Sequence, residues 1–168
     1  MVLWFNQNYY FSSGLSRPIT KLYRNNPFEA IREMSFYLKS KMTDKDKLLV
    51  LGSEPQVYLY SGKNAPLPHV YSALLMRNNP KNVESREEIM KYLQQERPNY
   101  VFFNLFPFSW MIQDGDDDAL YRQSFVYMVN NYEVIASYDI AANQYKYADQ
   151  GQTSDAYKAN QLLVFKRR

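Results

Sequence analysis

Two short, mostly apolar runs constrain the fold of this chain most strongly. They are Lys47–Leu51 and Tyr100–Leu105, and each is followed within a few residues by glycine or proline. Both are far shorter than the roughly 18 residues needed to cross a bilayer as a helix. Short continuous apolar runs are typical of strands that are covered on both faces. We therefore expect both runs to lie inside one sheet.

Helical periodicity alternates with these strands. Apolar residues recur at three- or four-residue spacing from Phe28 to Met42, and again over about 83–96 and 119–129. Asn26-Pro27 followed by Glu29 has the form of a helix start with a capping box. Ser53 and Gln56 have the same spacing, which predicts a short helix over 54–61 that is closed by Gly62.

The remaining segments complete the expected sheet. Residues 132–140 and 161–165 predict two further strands, antiparallel to each other across the polar connection 141–160, and 70–74 predicts a short strand. Residues 106–111 indicate an aromatic loop. This alternation predicts an α/β fold: a three-layer sandwich with a mostly parallel, Rossmann-like sheet, helices on both faces and an antiparallel C-terminal edge strand.

The length of 168 residues suits one domain, assigned to 23–168. Residues 1–22 form an aromatic lead-in that contains Trp4, Tyr9 and Tyr10, a mixture found where a chain leaves a membrane but also in segments packed on a domain. Aromatic residues reach 17% of the chain, and most of these rings are expected in the core or close to it.

Composition excludes several classes of function. The chain has no cysteine and a single histidine, so thiolate metal sites, cysteine nucleophiles and multi-histidine centres are excluded. The net charge is +3, and the lysines and arginines are scattered along the chain, which does not favour nucleic acid as a partner. Glycine-rich dinucleotide and nucleoside-triphosphate fingerprints are missing, so no cofactor is expected.

Glu54 is the first candidate for chemistry. It lies in Gly52-Ser53-Glu54-Pro55, directly after the first expected strand, where α/β sheets collect ligands. Glu54 could bind a hydroxyl-rich ligand or act as an acid or base, although a carboxylate in a first helical turn also has a purely structural explanation. Ser53 does not lie in the elbow motif of serine hydrolases, and a helix cap explains it.

The acidic segment Asp114-Gly115-Asp116-Asp117-Asp118 is a second candidate. Asp114 and Asp116 have the alternate spacing of metal-binding carboxylates, but the calcium-loop pattern then fails at Ala119 and Phe125. A helix cap that complements the dipole is the favoured explanation. We therefore predict no metal, with Asp114 and Asp116 as weak candidates.

Several segments resemble one family. They are Asn26-Pro-Phe28, Val50-Leu-Gly-Ser-Glu-Pro-Gln-Val-Tyr58-Leu-Tyr-Ser-Gly62, His69-Val-Tyr71, Leu75-Met76, Arg97-Pro-Asn-Tyr-Val101 and Ser109-Trp110. Over about 20–165 the chain resembles the soluble C-terminal region of bacterial membrane glycosyltransferases that use polyprenyl- or dolichyl-phosphate sugars. That family includes protein mannosyltransferases and lipid A aminoarabinose transferases.

The resemblance implies a periplasmic domain at the inner membrane. Enzymes of the family carry their catalytic aspartate and their membrane helices elsewhere, so no catalytic residue is transferred to this chain. The implied role is non-catalytic: to help bind a glycan, lipid or protein acceptor, or to brace a membrane-embedded catalytic partner. The residues expected to line the recognition surface are Glu54, Tyr58, His69 and Trp110.

A different class of function stays open. The chain could be a free-standing α/β ligand-binding protein or enzyme, with its site beyond Leu51 and Leu105 at the carboxyl ends of the strands. That alternative predicts a pocket with convergent polar groups and a strongly perturbed pKa of Glu54.

Overall fold

A computed structural model describes residues 26–151 and 157–168 of the chain. The lead-in assigned to residues 1–22 lies outside these ranges. The elements in chain order are α1 Phe28–Lys41, β1 Leu48–Leu51, α2 Gln56–Ser61, α3 Ser72–Leu75, α4 Pro80–Gln95, β2 Tyr100–Asn104, α5 Pro107–Trp110, α6 Ala119–Asn131, β3 Tyr132–Asp139, β4 Gln144–Tyr147, a 3₁₀ turn Ala148–Gln150, and β5 Gln161–Arg167.

The strands form one five-stranded mixed sheet in the order β1-β2-β5-β3-β4. β1 and β2 are parallel, with Val50 opposite Phe102. β5 runs antiparallel to β2 on one side and to β3 on the other, and β4 pairs antiparallel with β3. The α/β class and the antiparallel pairing of the last two predicted strands are thus confirmed.

Two details of the predicted sheet differ from the observed one. The mostly parallel, Rossmann-like arrangement is not confirmed, because the only parallel pair in the described sheet is β1 with β2. β5 is central, so its prediction as an edge strand is wrong. The physical reason is that every residue of Leu162–Phe165 is buried. A strand that is apolar on both faces is stabilised in the centre of a sheet, where both faces are covered and both edges pair with neighbouring strands.

Alternate residues of the central strands contribute to two separate apolar clusters. Leu49, Phe103 and Phe165 belong to a cluster that also takes residues of α4 and α6. The opposite face of the same strands carries Val50, Phe102 and Val164, which join a cluster with residues of α1 and α2. This is the period of two that a strand imposes on its side chains, and it explains why these runs are apolar throughout.

The helices follow their sequence signals closely. α1 buries Ile31, Met34 and Leu38 along one stripe, as its spacing predicts. The predicted capping boxes are wrong: Pro27 and Pro55 precede α1 and α2, and neither helix has a side-chain cap. α4 begins earlier than predicted, because the Asn79 side chain accepts a hydrogen bond from the Asn82 backbone N–H at 3.0 Å.

Three connecting segments differ from expectation. The strand predicted at 70–74 is instead the short helix α3, since Ser72 bonds back to Gly52 at the end of β1. The aromatic loop at 106–111 contains the helical turn α5, and the polar connection 141–160 contains β4. No helix in the described ranges is long and apolar enough to cross a membrane.

The outer edge of β1 is closed by side chains rather than by another strand. The Tyr58 hydroxyl accepts a hydrogen bond from the Val50 backbone N–H at 2.9 Å, and Ser72 Oγ accepts one from the Gly52 N–H at 3.1 Å. An edge strand otherwise presents unpaired backbone groups that invite association. Because both groups are buried, these contacts satisfy donors that would be costly to leave free.

Candidate functional site

A groove of about 460 Å³ lies where the parallel strands β1 and β2 end. The turn after β1 contributes Ser53 and Glu54, and the segment after β2 contributes Phe106, Phe108 and Ser109. α3 and the residue before it form the facing wall. This is the position at which the sequence predicts a ligand site, because the carboxyl ends of adjacent parallel strands meet at one edge.

Glu54 is the buried carboxylate of this groove, with 7% of its surface exposed. Its Oε2 atom accepts a hydrogen bond from Ser109 Oγ at 2.8 Å. Ser109 Oγ in turn accepts one from the Ser53 backbone N–H at 2.8 Å. Ser53 Oγ accepts one from the Ala73 N–H at 3.0 Å. This chain of contacts joins the turn after β1 to α5 and α3 and fixes the carboxylate in place.

Burial controls the protonation of this carboxyl. Desolvation raises the pKa of Glu54 from 4.5 to about 7, although the hydrogen bond from Ser109 and the nearby Asn104 side chain and Ser53 backbone act in the opposite direction. Within the described ranges, no charged side chain contributes to this raised pKa. Glu54 therefore changes charge close to neutral pH, as a group suited to proton exchange or to cation binding would.

Gly52 makes room for the carboxylate. Its φ of +144° is a conformation that residues with a side chain rarely adopt. A Cβ atom at this position would lie 2.3 Å from Glu54 Oε2 and 2.7 Å from Ser109 Oγ. Position 52 therefore requires glycine for two reasons: its positive φ, and the lack of space for a Cβ atom beside Glu54 and Ser109.

Asn104, the last residue of β2, lies beside the Glu54 carboxylate and holds the segment that follows β2. It is fully buried, its Oδ1 accepts a hydrogen bond from the Phe106 N–H at 2.7 Å, and its backbone carbonyl accepts one from Trp110 Nε1 at 2.6 Å. Its Nδ2 group is close enough to Glu54 to lower the pKa of the carboxyl, yet within the described ranges it makes no well-formed hydrogen bond.

The rim of the groove is apolar and open to solvent. Leu74 and Phe108 are each 69% exposed, and Met111 and Tyr71 are about half exposed. Exposed apolar side chains gathered around a concave site are typical of binding surfaces. The described lining residues include no lysine, arginine or histidine. Glu54 is therefore the only charged side chain among them.

The structure separates the four residues expected on the recognition surface. Only Glu54 lines the groove. Tyr58 closes the edge of β1, and Trp110 is buried in the core against Phe103. His69 is not among the lining residues, and its Nε2 atom lies 2.7 Å from Glu88 Oε2 on α4.

Carboxylates of the acidic segment before α6 form ion pairs with arginines. Asp116 pairs with Arg77, and the Asp117 carboxylate accepts hydrogen bonds from Arg86 at 2.6 Å and from the Ala119 N–H at 2.9 Å. Asp114 is exposed. Over the described ranges no three histidine or acidic side chains converge as a metal set would require. The predicted helix cap is not observed, because the N-cap residue Asp118 makes no side-chain capping hydrogen bond; ion pairs with arginines hold the segment instead.

Sequence reasoning missed several residues of the site. Asn104 ends β2 and Ser109 follows it, much as Ser53 and Glu54 follow β1. Applying to both strands the rule that ligands collect at strand carboxyl ends would have found them. Leu74 carries no such signal, because an exposed apolar residue in a short helical turn has no periodicity to mark its direction.

Comparison with known proteins gives no further identification. No protein-family model matches the chain, and neither a curated protein nor a solved structure matches it.

Proposed function

We propose that this chain is a non-catalytic recognition domain that binds an amphipathic acceptor in the groove beyond β1 and β2. Following the resemblance of its sequence, we further propose that it serves a periplasmic, membrane-embedded glycosyltransferase that uses a polyprenyl-phosphate sugar. The observation that carries the proposal is a buried carboxylate, Glu54, at the floor of a groove whose rim is exposed and apolar.

The shape and polarity of the groove support a binding role. A volume of about 460 Å³ is within the range of small-molecule sites. The rim offers Phe108, Leu74 and Met111 to an apolar body, while Glu54 and Ser109 offer hydrogen-bonding atoms to a polar end. An amphipathic ligand is the class that uses both.

The charge of the groove supports an acceptor in preference to the phosphate end of a sugar donor. Phosphate sites in proteins depend on arginine, lysine or backbone N–H groups. The described lining contains no basic residue and does contain Glu54, which repels an anion when ionised.

Direct titration tests the proposal. The chain is titrated with n-octyl β-D-glucopyranoside below its micelle concentration, and amide resonances are followed by NMR. Binding predicts shifts that centre on Ser53, Ala73 and Ser109, and Phe108→Ser is expected to weaken them at least three-fold. Val126→Ser changes another well-exposed apolar residue, on α6, and is the control. Shifts that are absent, or that centre on α6, would contradict the groove as the binding site.

A second candidate rests on the pKa of Glu54 of about 7, which allows general acid or base catalysis by a free-standing enzyme. Glycoside hydrolysis ordinarily uses two carboxylates, and the described lining supplies one. Turnover of a bound ligand by the purified chain, abolished by Glu54→Gln, would favour this candidate, whereas binding without chemical change favours recognition.

We also propose a three-layer arrangement for the domain. The two apolar clusters support it, since one takes residues from α1 and α2 and the other from α4 and α6. Hydrogen exchange that protects the inner faces of α1 and α4 alike is the expected result, and rapid exchange throughout either helix would contradict it.

A further inference from the structure

Glu54 differs from Asp116 and Asp117 in having no basic partner among the described residues. Asp116 pairs with Arg77, and Asp117 pairs with the buried Arg86. Around Glu54 the hydrogen-bond partners are neutral: Ser109, with Asn104 and the Ser53 backbone close by. A buried carboxylate without a counter-ion is costly in its charged form, and a bound cation removes that cost.

The surroundings of Glu54 suit an organic cation rather than a metal ion. The described lining offers no second carboxylate, whereas hard cations such as Ca²⁺ take six or more oxygen ligands. It does offer the aromatic rings of Tyr71 and Phe106. Aromatic faces attract ammonium groups, and the attraction strengthens where water is excluded.

We propose that the groove binds a ligand that carries a primary ammonium group on an apolar body. The ammonium lies against the Glu54 carboxylate, and the apolar body lies against Phe108, Leu74 and Met111 at the rim. The inference rests on the proposed function, because it names the polar end of the ligand that the recognition domain takes.

Competing polar ends fit the same atoms less well. A neutral hydroxyl can donate to Glu54, but it leaves the ionised carboxylate without a counter-charge. A phosphate meets the carboxylate as a like charge and finds no arginine or lysine among the described lining residues. A primary ammonium supplies both the charge and the N–H donors, and charge-assisted hydrogen bonds are about twice as strong as neutral ones.

Three probes of one shape separate these possibilities: benzylammonium, benzyl alcohol and benzyl phosphate. Each is titrated into the 168-residue chain at about pH 8, above the pKa of Glu54 of about 7, with affinity read from NMR shifts of Ser53 and Ser109. Benzylammonium is expected to bind at least ten-fold more tightly than benzyl alcohol, and benzyl phosphate most weakly.

Two variants locate the charge. Glu54→Gln keeps the size of the side chain and is expected to remove the advantage of benzylammonium over benzyl alcohol. Glu87→Gln, at an exposed carboxylate of α4 outside the groove lining, is expected to keep it. Thermal unfolding of both variants reports whether the fold is intact. If Glu54→Gln does not fold, Phe108→Ser serves as the second variant and is expected to weaken benzylammonium and benzyl alcohol alike.

The outcomes separate the inference from the proposed function. Equal binding of benzylammonium and benzyl alcohol overturns the inference and leaves the groove as an amphiphile site. A preference for benzylammonium that survives Glu54→Gln also overturns it. If no probe shifts the groove resonances, the inference and the proposed function both fail.

Discussion

Glu54→Gln keeps the shape of a buried side chain and removes its ability to ionise. In the folded chain desolvation raises the pKa of Glu54 to about 7, whereas in an unfolded chain the group titrates near 4.5. Between these two values the unfolded state releases a proton that the folded state retains. Stability of the wild type therefore falls as pH rises through this window and levels off above it. At about 1.4 kcal/mol per pH unit, the loss is on the order of 3 kcal/mol.

Urea unfolding at about pH 4.5 and about pH 8 measures this loss, with the buried Trp110 as the fluorescence probe. The stability of Glu54→Gln relative to wild type is expected to increase by about 3 kcal/mol from the lower to the higher pH. Other titrating groups cancel in this difference. Glu87→Gln, which changes an exposed carboxylate, is expected to follow the wild type at both pH values. Parallel curves for wild type and Glu54→Gln would refute the reasoning.

Three further substitutions test the packing around the site by the same unfolding assay. Gly52→Ala is expected to cost at least 2 kcal/mol more than Gly115→Ala, since both have positive φ but only the Gly52 Cβ meets other atoms; equal losses would contradict this. Tyr58→Phe leaves the Val50 N–H unpaired and should cost about 1–3 kcal/mol, against under about 0.5 kcal/mol for Tyr60→Phe. Arg86→Met removes a buried hydrogen bond to the Leu75 carbonyl and a partly buried one to Asp117, and it should cost over about 2 kcal/mol. Arg122→Met changes an exposed arginine and should cost under about 1 kcal/mol, so similar losses for the two variants would refute the argument.

The order of the strands is the part of the fold that sequence patterns cannot supply. Periodicity reports which faces of a segment are buried, and it locates α1, β1, β2 and β3 well. It does not report which strand lies beside which. β5 is predicted at an edge, yet it pairs with both β2 and β3. That choice depends on contacts between residues far apart in sequence.

The candidate site is predictable in position but not in membership. The rule that ligands collect where parallel strands end locates Glu54 correctly at the edge of the sheet. Tyr58 lies at the edge of β1 and not in the groove, and α2 is too short for a periodic pattern to show this in advance. The burial of Glu54 depends on Ser109 and Gly52 together, and no local pattern relates these two residues.

The central place of β5 has a consequence for how the polypeptide is made. β2 and β3 do not pair with each other, so the two halves of the sheet meet only through Gln161–Arg167. β1 to β4 of the described sheet are all synthesised before this segment. The sheet therefore stays incomplete until the segment leaves the ribosome. Folding is therefore expected to finish only after translation has passed these residues, and nascent chains stalled earlier should expose apolar edges to chaperones.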